Sequence, residues 1–122
     1  MPMIDTTINE LKDFNENEFN ILFLTRDAGK ISRTYERKIN YILDENQNLK
    51  ILKIVSNKDN IEDLRNFKIK ALPSLVILKE NKVIAKKTLT WYKKVQNGIR
   101  SDKFISEKNI LEWINSFVSE EE

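Results

Sequence analysis

The 122-residue sequence contains no cysteine and no histidine. Without cysteine, the chain has no disulfide, no thiolate nucleophile, no thiolate metal site and no redox-active thiol pair. Without histidine, it lacks the commonest general base and the commonest metal ligand of proteins. Carboxylate, lysine and hydroxyl groups are all that remain for catalysis. We therefore expect no catalytic residue, no metal and no cofactor.

Long apolar runs are also missing. No stretch approaches the roughly 20 residues that a helix needs to cross a bilayer. The first nine residues lack the basic end and apolar stretch of a signal peptide. We therefore expect a cytoplasmic protein that makes no membrane contact, with a virion component as an alternative setting. The length fits one domain, residues 1–122.

Charge is unevenly distributed along the chain. Residues 79–103 carry eight basic and two acidic residues, a formal charge of +6. Residues 104–122 carry one lysine and five glutamates, a formal charge of −4. A segment of one sign can steer a partner of the opposite sign. This distribution favours a protein partner with an acidic surface. It also allows self-association, with Glu120–Glu122 of one copy against the basic segment of another.

Hydrophobic periodicity indicates an α/β domain. Helix-spaced apolar residues alternate with apolar runs of strand length, and Tyr35, Tyr41 and Trp113 are predicted to be core residues. A four-stranded mixed sheet with helices on both faces is expected, and Met3–Ile4 is a candidate fifth strand at its edge. The predicted order is helix 7–14, strand 19–25, helix 31–45, strand 48–55, helix 60–67, strands 74–79 and 83–89, and a last helix from residue 106.

One segment makes a family resemblance specific. Residues 67–84 (FKIKALPSLVILKENKVI) hold an aromatic residue, a helix end, an apolar residue, proline, serine, an apolar strand, a turn and a second strand. This pattern and the element order resemble the thioredoxin-like superfamily. The resemblance implies a thioredoxin-like fold and a cis peptide bond at Pro73. It also implies that backbone groups beside Leu72, Pro73 and Ser74 can pair with an extended peptide or with glutathione.

The same resemblance locates the lost redox site. In the family, a CxxC motif follows the first buried strand and opens the long helix. Here the corresponding residues are Ala28, Gly29, Lys30 and Ile31, and the position of the family's buried acid corresponds to Leu22. Thiol exchange needs a thiolate, its resolving partner and a proton acceptor. The resemblance therefore implies a member of the superfamily without redox activity.

Two loops could bind ligands at this degenerate site. The first is the loop of Leu72, Pro73 and Ser74, which we call the Pro73 rim. It could hold a peptide, or the proline could serve only to shape the loop. Residues 26–30 are expected to open a helix, where unpaired N–H groups attract anions, but an ordinary solvated loop is the preferred interpretation. The first glycine of a P-loop and the Ser/Thr after its lysine are missing there.

The segment 90–104 (TWYKKVQNGIRSDKF) departs most from the family pattern. We interpret it as an inserted loop of about 15 residues with a turn at Asn97–Gly98, and loops of that length are often functional. Exposed Trp, Tyr and Arg dominate binding hot spots. The predicted partner-binding residues of this segment are Trp91, Tyr92, Lys93, Lys94, Arg100 and Lys103. The alternative is that the two aromatic residues pack onto the sheet.

The sequence thus favours a non-catalytic protein-interaction or structural module, acting as a subunit or adaptor of a larger assembly. A glutathione- or thiol-ligand-binding enzyme is the alternative, in which Ser32, Tyr35 or Ser74 would activate the ligand thiol. A single-stranded nucleic-acid binder ranks third, because the positive charge is confined to one segment while the whole chain is nearly neutral.

Overall fold

The structure is a computed structural model that describes residues 3–7, 19–26, 29–69, 71–80, 82–89 and 91–118, except for the side chains of Trp91 and Asp102. The predicted helix at residues 7–14 falls almost wholly outside this range, as does Ala28. The elements in chain order are β1 (Ile4–Asp5), β2 (Phe19–Arg26), α1 (Lys30–Glu45), β3 (Ile51–Ser56), α2 (Ile61–Arg65), β4 (Ser74–Lys79), β5 (Lys82–Thr88), β6 (Trp91–Gln96), β7 (Ile99–Phe104) and α3 (Glu107–Val118).

Five strands form one mixed sheet in the order β1-β3-β2-β4-β5. Strand β3 is parallel to both β1 and β2, whereas β4 is antiparallel to β2 and β5. The α1 crossover connects β2 to its parallel neighbour β3, and a tight turn suffices between the antiparallel strands β4 and β5. This sheet confirms the predicted fold class, including the short edge strand, which lies one residue later than expected.

The central strand β2 is buried on both faces. Ile21 and Phe23 point to one apolar cluster, and Leu22 and Leu24 point to the other. The first cluster contains side chains of α1 and α3, and the second contains Leu64 of α2. Because successive side chains of a strand alternate between faces, a continuous apolar run can supply two cores. The helices therefore cover both faces of the sheet, as predicted.

The placement of Tyr41 differs from the prediction. Tyr35 is fully buried, whereas 57% of the Tyr41 surface is exposed. Six residues along a helix rotate a side chain well away from the buried stripe, which α1 fills with Tyr35, Ile39 and Ile42. Periodicity correctly predicted the helix, but Tyr41 is not a core residue.

The prediction of a 15-residue loop at 90–104 is wrong. The segment forms an antiparallel two-stranded sheet, in which β6 pairs with β7 from Trp91↔Phe104 to Gln96↔Ile99. The predicted turn at Asn97–Gly98 is confirmed. Both residues have positive φ, 54° and 76°. These values suit a two-residue type I′ turn, whose twist matches that of the flanking strands.

Side chains of α1 anchor the base of this β6–β7 hairpin. The Tyr35 ring meets the Phe104 ring edge to face, with centroids 5.6 Å apart. The Tyr35 hydroxyl oxygen accepts a hydrogen bond of 2.9 Å from the Ile105 backbone N–H. One turn further along α1, Lys38 forms an ion pair with Glu107 at the start of α3. Its hydrogen bond lowers the pKa of Glu107. The hairpin base is therefore tied to the body of the domain.

Removing apolar volume at Leu22 tests the second core. Leu22 is fully buried against Leu52, Ile54 and Val76 of the same cluster. We expect Leu22→Ala to lower the free energy of unfolding by about 2–5 kcal/mol, because it leaves a cavity. Val83→Ala, at a position 39% exposed on β5, should change it by less than about 1 kcal/mol. Urea denaturation measures both values, and similar losses for the two variants would contradict this description of the core.

Removing one oxygen atom tests the hairpin anchor. Tyr35→Phe keeps the ring contact with Phe104 but leaves the Ile105 N–H without its acceptor. We expect a loss of about 1–2 kcal/mol, since a buried donor without a partner is costly and Ile105 is half-buried. Tyr41→Phe on the exposed side of α1 is the matched control, and it should stay within about 0.5 kcal/mol of wild type. Equal unfolding free energies for the two variants would rule out the anchor.

The Tyr35 hydroxyl should also make stability depend on alkaline pH. Burial raises the pKa of Tyr35, and the hydrogen bond from Ile105 opposes that rise only in part. Above about pH 10, where an unfolded tyrosine ionises, the folded state retains its proton longer, so the free energy of unfolding falls as pH rises. We expect the stability difference between wild type and Tyr35→Phe to shrink between pH 8 and 11. A constant difference across this range would contradict the shift.

Candidate functional site

The Pro73 rim lies at the start of β4, at the end of the sheet where β2 finishes. The Leu72–Pro73 peptide bond is cis, as the family resemblance implies. Ser74 is 1% exposed, and its hydroxyl donates a hydrogen bond of 2.5 Å to the Ala71 carbonyl. The Pro73 carbonyl accepts one of 2.9 Å from the Leu89 N–H. These bonds fix the loop before β4 and hold the end of β5 against it.

Gly29, Lys30 and Ile31, which the resemblance matches to the CxxC motif, follow β2 at the same end of the sheet. Ser74 is paired with Leu24 near the end of β2, and β2 leads into Gly29. Gly29 has a φ of 132° and occupies the N-cap position of α1, followed by Lys30 and Ile31 in the first turn. No acidic residue lies in that turn. Arg26, expected in the loop, instead ends β2.

The position that the resemblance assigns to a buried acid is apolar. Leu22 is 0% exposed and packs in the cluster of α2. The same apolar cluster contains Leu24 of β2 and Leu52 and Ile54 of β3. A carboxylate there would be desolvated without a partner, which is costly. The core is therefore apolar at this position.

Three hydroxyl residues were the alternative reactive groups. The oxygens of Tyr35 and Ser74 are buried and hydrogen-bonded within the fold, to the Ile105 N–H and the Ala71 carbonyl respectively. Ser32 is 6% exposed on the buried side of α1. The hydrogen bonds of Tyr35 and Ser74 hold backbone segments in place. The geometry therefore gives no support to activation of a ligand thiol by these hydroxyl groups.

Lysine side chains surround a shallow cavity beside the rim. The cavity has a volume of about 250 Å³ and is lined by Lys68, Ile69, Ser74, Lys86, Lys87 and Thr88. The Lys86 ammonium donates a hydrogen bond of 2.6 Å to the Lys68 carbonyl. Over the residues that the structure describes, no group of three or more acidic side chains could hold a metal ion.

Apart from Trp91, whose side chain lies outside the described part of the structure, the β6–β7 hairpin carries the predicted partner-binding residues of segment 90–104 into solvent. Tyr92 is 64% exposed, Val95 62% and Ile99 70%. The cationic side chains of the hairpin, Lys93, Lys94, Arg100 and Lys103, are exposed as well. With Asp102 as its single acidic residue, the hairpin has a formal charge of +3. The described side chains of this basic segment thus face solvent, although its backbone is a ribbon and not a loop.

The strand register separates these side chains into two faces. Directly paired residues lie on the same face, and successive residues alternate. Lys93, Val95 and Arg100 therefore share one face, because Val95 pairs with Arg100. The opposite face carries Tyr92, Lys94, Ile99 and Lys103, because Tyr92 pairs with Lys103. Each face thus holds two cations, but Asp102 is the strand partner of Lys93, so the face of Lys94 and Lys103 has the larger net positive charge. The exposed apolar side chains do not form one patch.

The structure brings the two predicted binding segments together. Strand β5 ends at Thr88, paired with Ser74, and β6 begins three residues later. The hairpin therefore leaves the sheet at the same end as the Pro73 rim. The anchor between Tyr35 and Ile105 was not predicted, because these residues are 70 positions apart. The two strands were not predicted either, although Asn-Gly between residues of high β-propensity is the strongest short hairpin signal.

Comparison with known proteins gives a result for the fold alone. No family model matches the chain, and no curated protein sequence matches it. No helix within the described residues is long and apolar enough to span a membrane.

Several solved structures share the architecture. Thioredoxin f2 of Chlamydomonas reinhardtii superposes with a TM-score of 0.70 at 13% identity, covering 93% of this chain and 94% of that one. Spinach chloroplast thioredoxin f, short form, gives 0.71 at 16% identity, covering 94% and 92%. A thioredoxin-like protein from Clostridium perfringens gives 0.64 at 14% identity, covering 99% and 85%. The chain therefore has the thioredoxin fold, without the cysteines that thiol–disulfide exchange requires.

Proposed function

We propose that the chain is a non-catalytic interaction module built on the thioredoxin fold, and that the β6–β7 hairpin contacts its partner. The observation that carries the proposal is the hairpin surface: four exposed cations and three exposed apolar side chains on an ordered ribbon. Arginine and aromatic residues are frequent at binding hot spots. A module of this kind would serve as a subunit or adaptor of a larger assembly.

The chemistry of the site supports a binding role over a catalytic one. Cysteine and histidine are missing from the sequence, and the hydroxyls of Tyr35 and Ser74 are used inside the fold. A fold can persist after its original activity is lost, because function depends on particular side chains grafted on it. The sheet and helices then act as a scaffold that presents the hairpin.

Charge indicates the kind of partner. The hairpin is net positive, and the lysines of β5 and of the cavity beside Pro73 extend the positive surface along the same edge of the sheet. Attraction at this range speeds encounter with a negatively charged surface and weakens with salt. The charge distribution along the sequence favours an acidic protein as this partner, and the hairpin charge supports a negatively charged partner more broadly.

A heparin column tests whether the hairpin is the contact. Heparin is a polyanion and stands for a generic negatively charged partner. We expect wild type to elute at higher salt than Lys94→Gln/Lys103→Gln, because those ammonium groups lie on the exposed ribbon. Lys58→Gln/Lys108→Gln is the matched control: both lysines are exposed, lie outside the hairpin, and their loss changes net charge equally.

The control should elute close to wild type. Circular dichroism melting curves establish that each variant is folded, which we expect since the substituted side chains are exposed. If the two double variants eluted at the same salt concentration, retention would follow net charge alone, and the hairpin would not be the contact.

A further inference from the structure

An open cavity of about 460 Å³ lies along the solvent-facing side of α1. The described residues that line it are all polar or charged, and none belongs to the hairpin or the Pro73 rim: Lys30, Arg33, Glu36, Arg37 and Asn40. They lie three or four positions apart along α1, so their side chains share one face of the helix. Small-ligand sites have volumes of roughly 300–1,000 Å³. The cavity is therefore large enough for a small polar ligand.

Two guanidinium groups of this cavity are available to an anion. Arg33 and Arg37 are exposed and lie one helical turn apart. Over the residues that the structure describes, neither guanidinium forms an ion pair with a carboxylate. Arg33 Nε donates a hydrogen bond of 3.4 Å to the Gly29 carbonyl, which leaves the other N–H groups of its guanidinium for a ligand. Like charges at this spacing repel each other and destabilise a helix, and an anion between them would relieve the repulsion.

The acidic residue that lines the cavity does not neutralise these arginines. Glu36 forms an ion pair of 2.5 Å with Lys53 of β3, and both side chains are half-buried. Asn40 Oδ1 accepts a hydrogen bond of 3.0 Å from the Met3 backbone N–H, so its amide N–H groups are the donors that remain. Lys30 already has an interaction within the chain, yet it adds positive charge to the lining. The cavity thus combines hydrogen-bond donors with an excess of positive charge.

We propose that this cavity binds a small soluble ligand with two or more adjacent phosphate groups. The planar fork of a guanidinium group matches the oxygens of a phosphate and can donate two hydrogen bonds to it. Arg33 and Arg37, one turn apart, can each hold one phosphate of such a ligand. The described lining offers no apolar or aromatic side chain to a hydrophobic ligand. This site lies outside the hairpin, so it adds to the proposed function and does not depend on it.

Titration calorimetry of the full chain with inorganic tripolyphosphate provides the test. At about 50 mM NaCl, where screening is weak, we expect one ligand bound per chain and a rise in the melting temperature of the protein. Orthophosphate, which can meet only one of the two guanidinium forks, should bind at least about tenfold more weakly. Equal affinities for the two anions would overturn the inference of adjacent phosphates.

Paired substitutions show whether the cavity is the site. Arg33→Gln/Arg37→Gln should weaken tripolyphosphate binding by about tenfold or more, because it removes charge-assisted hydrogen bonds. Lys58→Gln/Lys108→Gln removes the same net charge at exposed positions outside the cavity, and it should stay within about twofold of wild type. Circular dichroism establishes that both variants are folded. Equal weakening by the two variants would mean that binding follows net charge alone, and it would overturn the site.

A substitution that strengthens binding gives a test that unfolding cannot imitate. Glu36→Gln removes the negative charge from the lining and releases the Lys53 ammonium from its ion pair. We expect tripolyphosphate to bind about 3- to 10-fold more tightly, since a repulsive charge a few ångströms away is lost. Glu62→Gln is the matched control, because Glu62 is also ion-paired, with Arg65, but lies outside the cavity. Unchanged or weaker binding by Glu36→Gln would contradict the inference.

Two further outcomes separate the alternatives. If tripolyphosphate did not bind at low salt, the two arginines would be solvated surface charges and the inference would be overturned. The proposed function would then still stand or fall on the heparin elution of the hairpin variants. If vesicles containing phosphatidylinositol bisphosphate bound the chain and tripolyphosphate did not, the ligand would be a lipid headgroup, and the inference of a soluble ligand would be overturned.

Discussion

The contact between Tyr35 and the base of the β6–β7 hairpin attaches the hairpin, with its exposed cations, to the domain. One side chain of α1 packs its ring on Phe104 and accepts the Ile105 N–H through its oxygen. Two-stranded hairpins are at best marginally stable by themselves, so an attachment to a packed core is what makes this one usable. The ion pair of Lys38 with Glu107 supports the same junction. The helix that opens the redox site in thioredoxins thus supports a different element here.

Loss of thiol chemistry and retention of the fold are compatible because they depend on different residues. The sheet is held by alternating apolar side chains on β2, β3 and β4, and none of these contacts needs a cysteine. Leu22 even adds apolar contact where a buried acid would cost desolvation. The same cores therefore stabilise the fold without any cysteine.

Charge on the hairpin relates the scaffold to its proposed role. Cations on both faces of the ribbon oppose association with a second positive surface, and they keep its exposed edges from pairing freely. The same cations attract a negatively charged partner over about one Debye length.

The sequence by itself determined the main elements of the five-stranded sheet and its helices, since apolar periodicity on β2, α1 and α3 depends only on which side chains must leave water. It also determined the absence of thiol chemistry and the turn at Asn97–Gly98, whose residues favour positive φ. Tertiary structure decided the rest. Pairing of β6 with β7 outweighed the polar appearance of residues 90–104, and rotation around α1 left Tyr41 exposed. The hydrogen bond between Tyr35 and Ile105 joins residues 70 positions apart, and only the folded chain brings such distant groups within reach.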